Sequence, residues 1–290
     1  MGLIRDVRGW TASLTAIAAV LVTVAGGAMA QTTPTCPALT RVGSAGNDTL
    51  IGTPGVDSIN ALAGDDLVNG IGGSDCILAG DGFDEVGGGS GNDTIFGEGG
   101  PDDLSGGSDN DRLFGGVGFD FLSGGLGDDE LAGEGGPDDI SGGRGFDRLS
   151  GGDDVDFLEG GLGDDRLRGG DGGDELTGGK GRDRIAGDDG NDDLDGGDGA
   201  DRLSGGRGND HLSGGSGGDR ISGGSGRDRI AVGGSPGNRT FGGSGNDVID
   251  AANGARTFVD CGSGRDIVRA DANDRLRRCE RIRRLRRSAR

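Results

Sequence analysis

A fixed period of nine residues constrains this chain more than any other feature. From Gly43 to Ala231 the sequence reads as 21 consecutive nonapeptides of the form Gly-Gly-x-Gly-x-Asp-x-(aliphatic)-x. Gly106 to Phe114 (GGSDNDRLF), Gly115 to Ser123 (GGVGFDFLS) and Gly124 to Ala132 (GGLGDDELA) are three successive copies. Every copy has Asp at place six and Leu, Ile or Val at place eight. A period of this kind outranks any residue-by-residue assignment of helix or strand. A flexible Gly-rich linker does not hold two residue types at fixed offsets. Collagen is excluded, because the period is not three and Pro supplies 6 residues against 71 Gly.

The nine places divide into two halves. Glycines at one, two and four permit positive φ and close backbone approach, so this half turns tightly and turns out carbonyl oxygens. Places seven to nine, apolar only in the middle, suit a very short strand with one side chain inward. The segment Gly97 to Leu104 (GEGGPDDL) recurs 36 residues later as Gly133 to Ile140 (GEGGPDDI). Duplication by an even number of units follows if two nonapeptides make one 18-residue coil. The expected fold is an all-β, parallel β-solenoid with two repeats per turn.

The flanks carry other signals. Arg5 and Arg8, the mostly apolar run Leu14 to Val24 and the small-x-small site Ala28-Met29-Ala30 read as a signal peptide over residues 1–30. Residues 31–42 form a short leader, 43–231 the regular array, 232–269 irregular repeats and 270–290 an Arg-rich cap or tail. Export and four cysteines imply two disulfides, and sequence proximity favours Cys36 with Cys76 and Cys261 with Cys279. The net charge is −21 over all 290 residues. The tail from Cys261 reverses that sign with 11 Arg against four acids. It is expected to act as a solvated cap, or as a handle for an anionic cell-wall polymer or for the acidic surface of another copy. No nucleic acid partner and no membrane span beyond the signal are expected.

The chemistry lies in place six. In an 18-residue coil, Asp of repeat n lies over Asp of repeat n+2 at about 4.8 Å, the strand spacing. Two such columns of carboxylates repel unless cations sit between them. Carboxylates with backbone carbonyls, all oxygen and of adjustable geometry, describe calcium better than magnesium, and zinc would need His or Cys clusters. One aliphatic in nine residues buries little apolar surface against the entropy of ordering the backbone, so ion binding must contribute to folding.

With these residues quoted, the array resembles the RTX, or haemolysin-type, calcium-binding repeat. The resemblance covers about two-thirds of the chain. It implies a right-handed parallel β-roll, with calcium ions between successive turns bound by the place-six Asp and by turn carbonyls. Carried over by position, the ligands are Asp84, Asp93, Asp102, Asp111, Asp120, Asp129, Asp138, Asp147, Asp156, Asp165, Asp174, Asp183, Asp192, Asp201, Asp210, Asp219 and Asp228. Asp247 and Asp266 follow in the good C-terminal units. Asp48, Asp57, Asp66 and Asp75 match less well, because their turns lack glycines. Asp109 and Asp154 replace the fourth glycine, which is expected to distort those turns. The end, DCGSGRDIVRADANDRLRRCERIRR, resembles the cysteine-bearing close of such repeat proteins from actinobacteria. Past Ala231, the template places Arg239 and Arg256 where Asp belonged, alternating with good units. One column is therefore expected to run on through Asp228, Asp247 and Asp266. The other is expected to stop near Asp219, with Arg239 paired to it in place of an ion.

Other motifs carry little. Gly214 to Gly218 and Gly233 to Gly237 match the nucleophile-elbow pattern by chance, since no long strand leads in and the single His211 sits at an outward place seven. No HExxH and no complete EF-hand loop is present. Phe96 and Phe114, 18 residues apart at place nine, should stack on one outer face. Leu276, Cys279 and Ile282 suit either a short helix or an alternating strand. The expected function is that of a secreted, non-enzymatic calcium-binding protein that folds on binding several Ca2+ ions. The alternative is a cell-envelope or adhesion scaffold.

Overall fold

The computed structural model describes Cys36 and residues 39–284. The expected signal peptide, most of the leader and the last six residues lie outside the described residues. The body that begins at Cys36 is one of two compact units and is all-β. Among the described residues there is no helix, so none is long and apolar enough to cross a membrane.

Strands alternate between two parallel sheets of 14 and 15 strands. One sheet runs Arg41–Val42, Ser58–Asn60, Cys76–Asp81, Thr94–Gly99 and onward, and the other Thr49–Ile51, Leu67–Asn69, Glu85–Ser90 and onward. Each strand pairs with the strand one turn away, 18 residues along, as in Leu122 with Ile140 and Leu131 with Leu149. The molecule is therefore a parallel β-solenoid of about 14 turns, with two nonapeptides per turn.

The strands are longer than the sequence suggests. In the middle of the array most have six residues, such as Phe121–Leu126 and Arg148–Asp153, and run from place seven through place three of the next repeat. Position two bends the chain into positive φ, +112° at Gly107 and Gly116, and pairing skips position one before it resumes. The glycine half is thus shared between the end of a strand and the turn.

Place eight forms the core as a single file in each sheet. Ile59, Ile77, Ile95, Leu113 and Leu131 face Val68, Val86, Leu104, Leu122 and Ile140, all buried. With one apolar side chain per strand through the middle of the array, the interior is narrow, and the remaining inward places there go to glycine and to Asp. Near the ends place one adds Ala61, Ala79, Val232, Ala251, Cys261 and Ala270 to the core.

After Ala231 the turns first gain a residue and then shorten. Pairing shifts to 19, as in Arg220 with Arg239 and Arg229 with Val248, then falls to 17 at Phe258 with Arg275 and 14 at Ile267 with Arg281. This corrects the sequence alignment there. The insertion puts Asn238, not Arg239, in the place-six position, and puts Thr257, not Arg256, there one turn later. Arg239 is an outward place-seven residue over the Phe258 ring, 5.8 Å from its centroid, and forms no ion pair with Asp219. The last strands are Arg275–Arg277 and Arg281–Arg284, so that segment is strand and not helix, with Ile282 exposed. Disulfides join Cys36 to Cys76 and Cys261 to Cys279, with Cα separations of 5.5 and 5.1 Å.

Candidate metal centre

The place-six carboxylates form two straight columns inside the solenoid. One runs from Asp57 through Asp75, Asp93, Asp111 and so on to Asp219; the other runs from Asp48 through Asp66, Asp84 and so on to Asp228, Asp247 and Asp266. From Asp57 on, these carboxylates are buried. The two oxygens of each have different fates. Oδ1 accepts the backbone N–H of the Asp one turn earlier at 2.6 to 3.1 Å, as in Asp102 N–H to Asp120 Oδ1 at 2.9 Å. Oδ2 has no hydrogen-bond partner in 21 of these residues: Asp66, every ninth residue to Asp228, then Asp247 and Asp266.

A buried acceptor without a donor costs roughly 1–3 kcal/mol, more for a charged group, and native interiors satisfy nearly all of theirs. Twenty-one in two files is a pattern, not an accident of packing. What surrounds Oδ2 repeats wherever place one is glycine, which is everywhere except at Ala61, Ala79 and Cys261, before Asp66, Asp84 and Asp266. The Cα of Gly97 faces Oδ2 of Asp102 and the carbonyl oxygen of Gly115, and a Cβ there would lie 2.4 and 2.3 Å from them. At Gly133 the corresponding distances are 2.0 Å to Asp138 Oδ2 and 2.9 Å to the Gly151 carbonyl. Glycine at place one therefore keeps open a cradle lined by a carboxylate oxygen and a carbonyl of the next turn. Every donor is oxygen, which suits a hard, large divalent cation such as calcium. Among the described residues no three His, Cys, Asp or Glu side chains converge on one point. Any such site must therefore be completed by backbone carbonyls.

Burial without a counter-charge raises the acidities' pKa values. Asp93 and Asp165 are pushed up to about 6, Asp138 and Asp147 to about 7, and Asp156 to about 8. Loss of hydration is the main cause, the N–H bond to Oδ1 opposes it, and the Asp charges one turn away add to it.

The columns end in side chains that supply what the middle lacks. At Asp57, Oδ2 accepts from the Thr53 N–H at 2.6 Å and its hydroxyl at 2.8 Å, which, led by the hydroxyl, holds that carboxyl below the usual range. At Asp48, Oδ2 likewise accepts from the Ser44 N–H at 2.6 Å and from its hydroxyl at 2.9 Å. At the far end Asn238 Oδ1 continues the ladder by accepting the Asp219 N–H at 2.7 Å, while its Nδ2 donates to the Val232 carbonyl at 2.9 Å. Asp274 then accepts the Thr257 N–H, and the other column closes on Glu280, which accepts the Asp266 N–H at 3.0 Å. The repeat template does not reveal these five residues. A hydroxyl at place two, with no glycine there, is the one signal the sequence offered for Ser44 and Thr53.

The turns without glycine keep their shape. Leu62, Ile71, Glu98, Glu134 and Asp188 at place two, and Asp109 and Asp154 at place four, all adopt φ between +74° and +84°. The expected distortion at Asp109 and Asp154 is instead local strain in an undistorted coil. His211 lies outside, 3.5 Å from Asp193. Phe96 and Phe114 stack with centroids 4.9 Å apart.

Against known proteins, no curated sequence matches this chain. Among solved structures it is similar to a hyperactive, Ca2+-dependent, beta-helical antifreeze protein from an Antarctic bacterium. That match has 22% identity and a TM-score of 0.38 over 82% of this chain and 79% of that one. The profile of the RTX calcium-binding nonapeptide repeat matches residues 42–77, 69–104, 105–140, 133–167, 168–203, 195–230 and 232–258. With matches across that span, and with the two carboxylate columns its repeats build, the chain belongs to the family of RTX calcium-binding nonapeptide repeat proteins.

Proposed function

We propose that this is an extracellular, non-enzymatic protein whose array folds on binding several calcium ions along both carboxylate columns. The observation that carries the reading is the file of buried Oδ2 atoms without donors, most of them beside a place-one glycine and a carbonyl of the next turn. The ligands are Asp66 to Asp228 at every ninth residue, with Asp247 and Asp266. Asp48 and Asp57 drop out of the earlier ligand set, because hydroxyl and amide donors already satisfy them. When bound, calcium supplies the positive charge that lets ionised carboxylates stand one strand spacing apart. The chain's own residues do the rest: place-one glycines leave the room everywhere but at Asp66, Asp84 and Asp266, where Ala61, Ala79 and Cys261 stand instead, Oδ1 locks each Asp to the preceding turn, and the place-eight file shields the columns from water.

Calcium would act as a folding ligand, stabilising the ordered state by mass action because the unfolded chain has no preformed site. Extracellular calcium would then switch on folding after export. Calcium titration followed by circular dichroism, with the metal content of the saturated protein measured in parallel, tests this. A cooperative rise in strand signal with many ions bound per chain is expected. Binding of only one or two ions would contradict it.

A further inference from the structure

The outer face of the 14-stranded sheet carries a row of arginines that calcium binding does not explain. Arg148, Arg166, Arg184, Arg202, Arg220 and Arg239 occupy place seven on six consecutive strands and pair directly, each with the next. All six are exposed. Among the described residues none has a carboxylate at ion-pair distance. Asp164, whose charge Arg184 also feels, is already gripped by Arg182 at 2.9 and 3.1 Å. On the same turns of the other sheet, place seven is Asp139, Phe157, Glu175, Asp193, His211 and Arg229. In a chain with 50 acids and 29 bases, these strands thus carry a cationic line at place seven, apart from the acidic line Asp153, Asp171 and Asp189 at place three. Like charges directly opposite on neighbouring strands are destabilising. The row therefore costs stability unless something anionic lies along it. The Arg277 and Arg278 side chains of the basic close are, by contrast, used internally on Asp260.

We propose that this row binds a linear anionic polysaccharide with one carboxylate per sugar ring. The row has one arginine per strand, at the strand spacing of about 4.8 Å, close to the length one pyranose ring adds to an extended chain. Guanidinium groups match carboxylates as two-pronged donors. Arg220 and Arg239 are held over the Phe241 and Phe258 rings, which orients that end of the row. Single-stranded nucleic acid is disfavoured, because its recognition needs aromatic platforms along the groove. The place-nine neighbours from Ser150 to Ser222 are Ser, Arg and Ala.

The test is calorimetric titration of the full, calcium-loaded chain with a glucuronate hexasaccharide, with a glucose hexasaccharide as the uncharged control. Binding of the glucuronate alone, weakened by salt, is expected. The triple variant Arg166→Gln, Arg184→Gln, Arg202→Gln should bind on the order of tenfold more weakly, while Arg281→Gln with Arg283→Gln should not change affinity. Circular dichroism in calcium checks the fold of each variant. Should the triple variant lose strand signal, Arg184→Gln alone decides, with a loss of up to about fivefold, the worth of one exposed ion pair. The proposal is overturned by absence of glucuronate binding, by unchanged affinity in the folded ladder variants, or by loss only in the tail variant. Equal or tighter binding of a six-nucleotide single strand would overturn it as well.

Discussion

At the scale of single residues, the two oxygens of each place-six Asp do different work. Oδ1 is a structural acceptor tied to the turn before it, and Oδ2 is left for an ion. Replacing Asp138 by Asn keeps the volume and supplies a donor where Oδ2 stood. The expected result is fewer calcium ions per chain by one or two, with the strand signal kept in saturating calcium, read by metal analysis and circular dichroism. The pKa shifts give a second prediction. An acid whose pKa rises on folding, from 3.8 to about 7 at Asp147 and about 8 at Asp156, opposes the folded state once it ionises. Without metal the roll should therefore be most ordered below about pH 4 and lose order as pH rises through 6 to 8. With calcium the dependence inverts, because protons compete for the same oxygens, so half-saturating calcium should rise as pH falls below 7. Circular dichroism across pH, with and without chelator, checks both signs. Backbone strain supplies a third. Ile71, β-branched and exposed, is held at φ +76°. The left-handed conformation costs about 1–2 kcal/mol, partly offset by the extra freedom glycine gives the unfolded chain. Ile71→Gly should therefore raise stability by up to about 1 kcal/mol, measured by denaturation in calcium.

At the scale of the element, the solenoid is a set of near-identical coils with different ends. Ser44 and Thr53 at one end, and Asn238 at the other, satisfy with hydroxyls and amides the groups that the middle turns leave open. A disulfide ties down each end as well. Terminal repeats have a neighbour on one side only and need such atypical chemistry. Asn238→Asp should extend the column by one carboxylate. The expected outcome is one more bound calcium ion and a higher calcium requirement for folding of the C-terminal turns, seen by metal analysis and by hydrogen exchange of residues 232–241.

At the scale of the whole molecule, period nine was enough to read two parallel sheets, an inward aliphatic file and two acid columns. Each follows from which places share a face. What escaped the sequence depended on single-residue register. One inserted residue after Ala231 moved Arg239 to an outward strand position and put Asn238 in the column, and a repeat template slid by one residue cannot tell the two apart. Strand length escaped because glycine suggested turn throughout, whereas the bend at place two is brief and pairing resumes at Gly125 and Leu126 before the turn at place four. The arginine row escaped because its members lie 18 or 19 residues apart and become neighbours only when turns stack. The most direct test of the central claim is small-angle scattering with circular dichroism at pH 8 on one sample, in excess chelator and then in saturating calcium. The account predicts an expanded, strand-poor chain that becomes compact and strand-rich when calcium is added. The same compact, strand-rich profile in both conditions would contradict it.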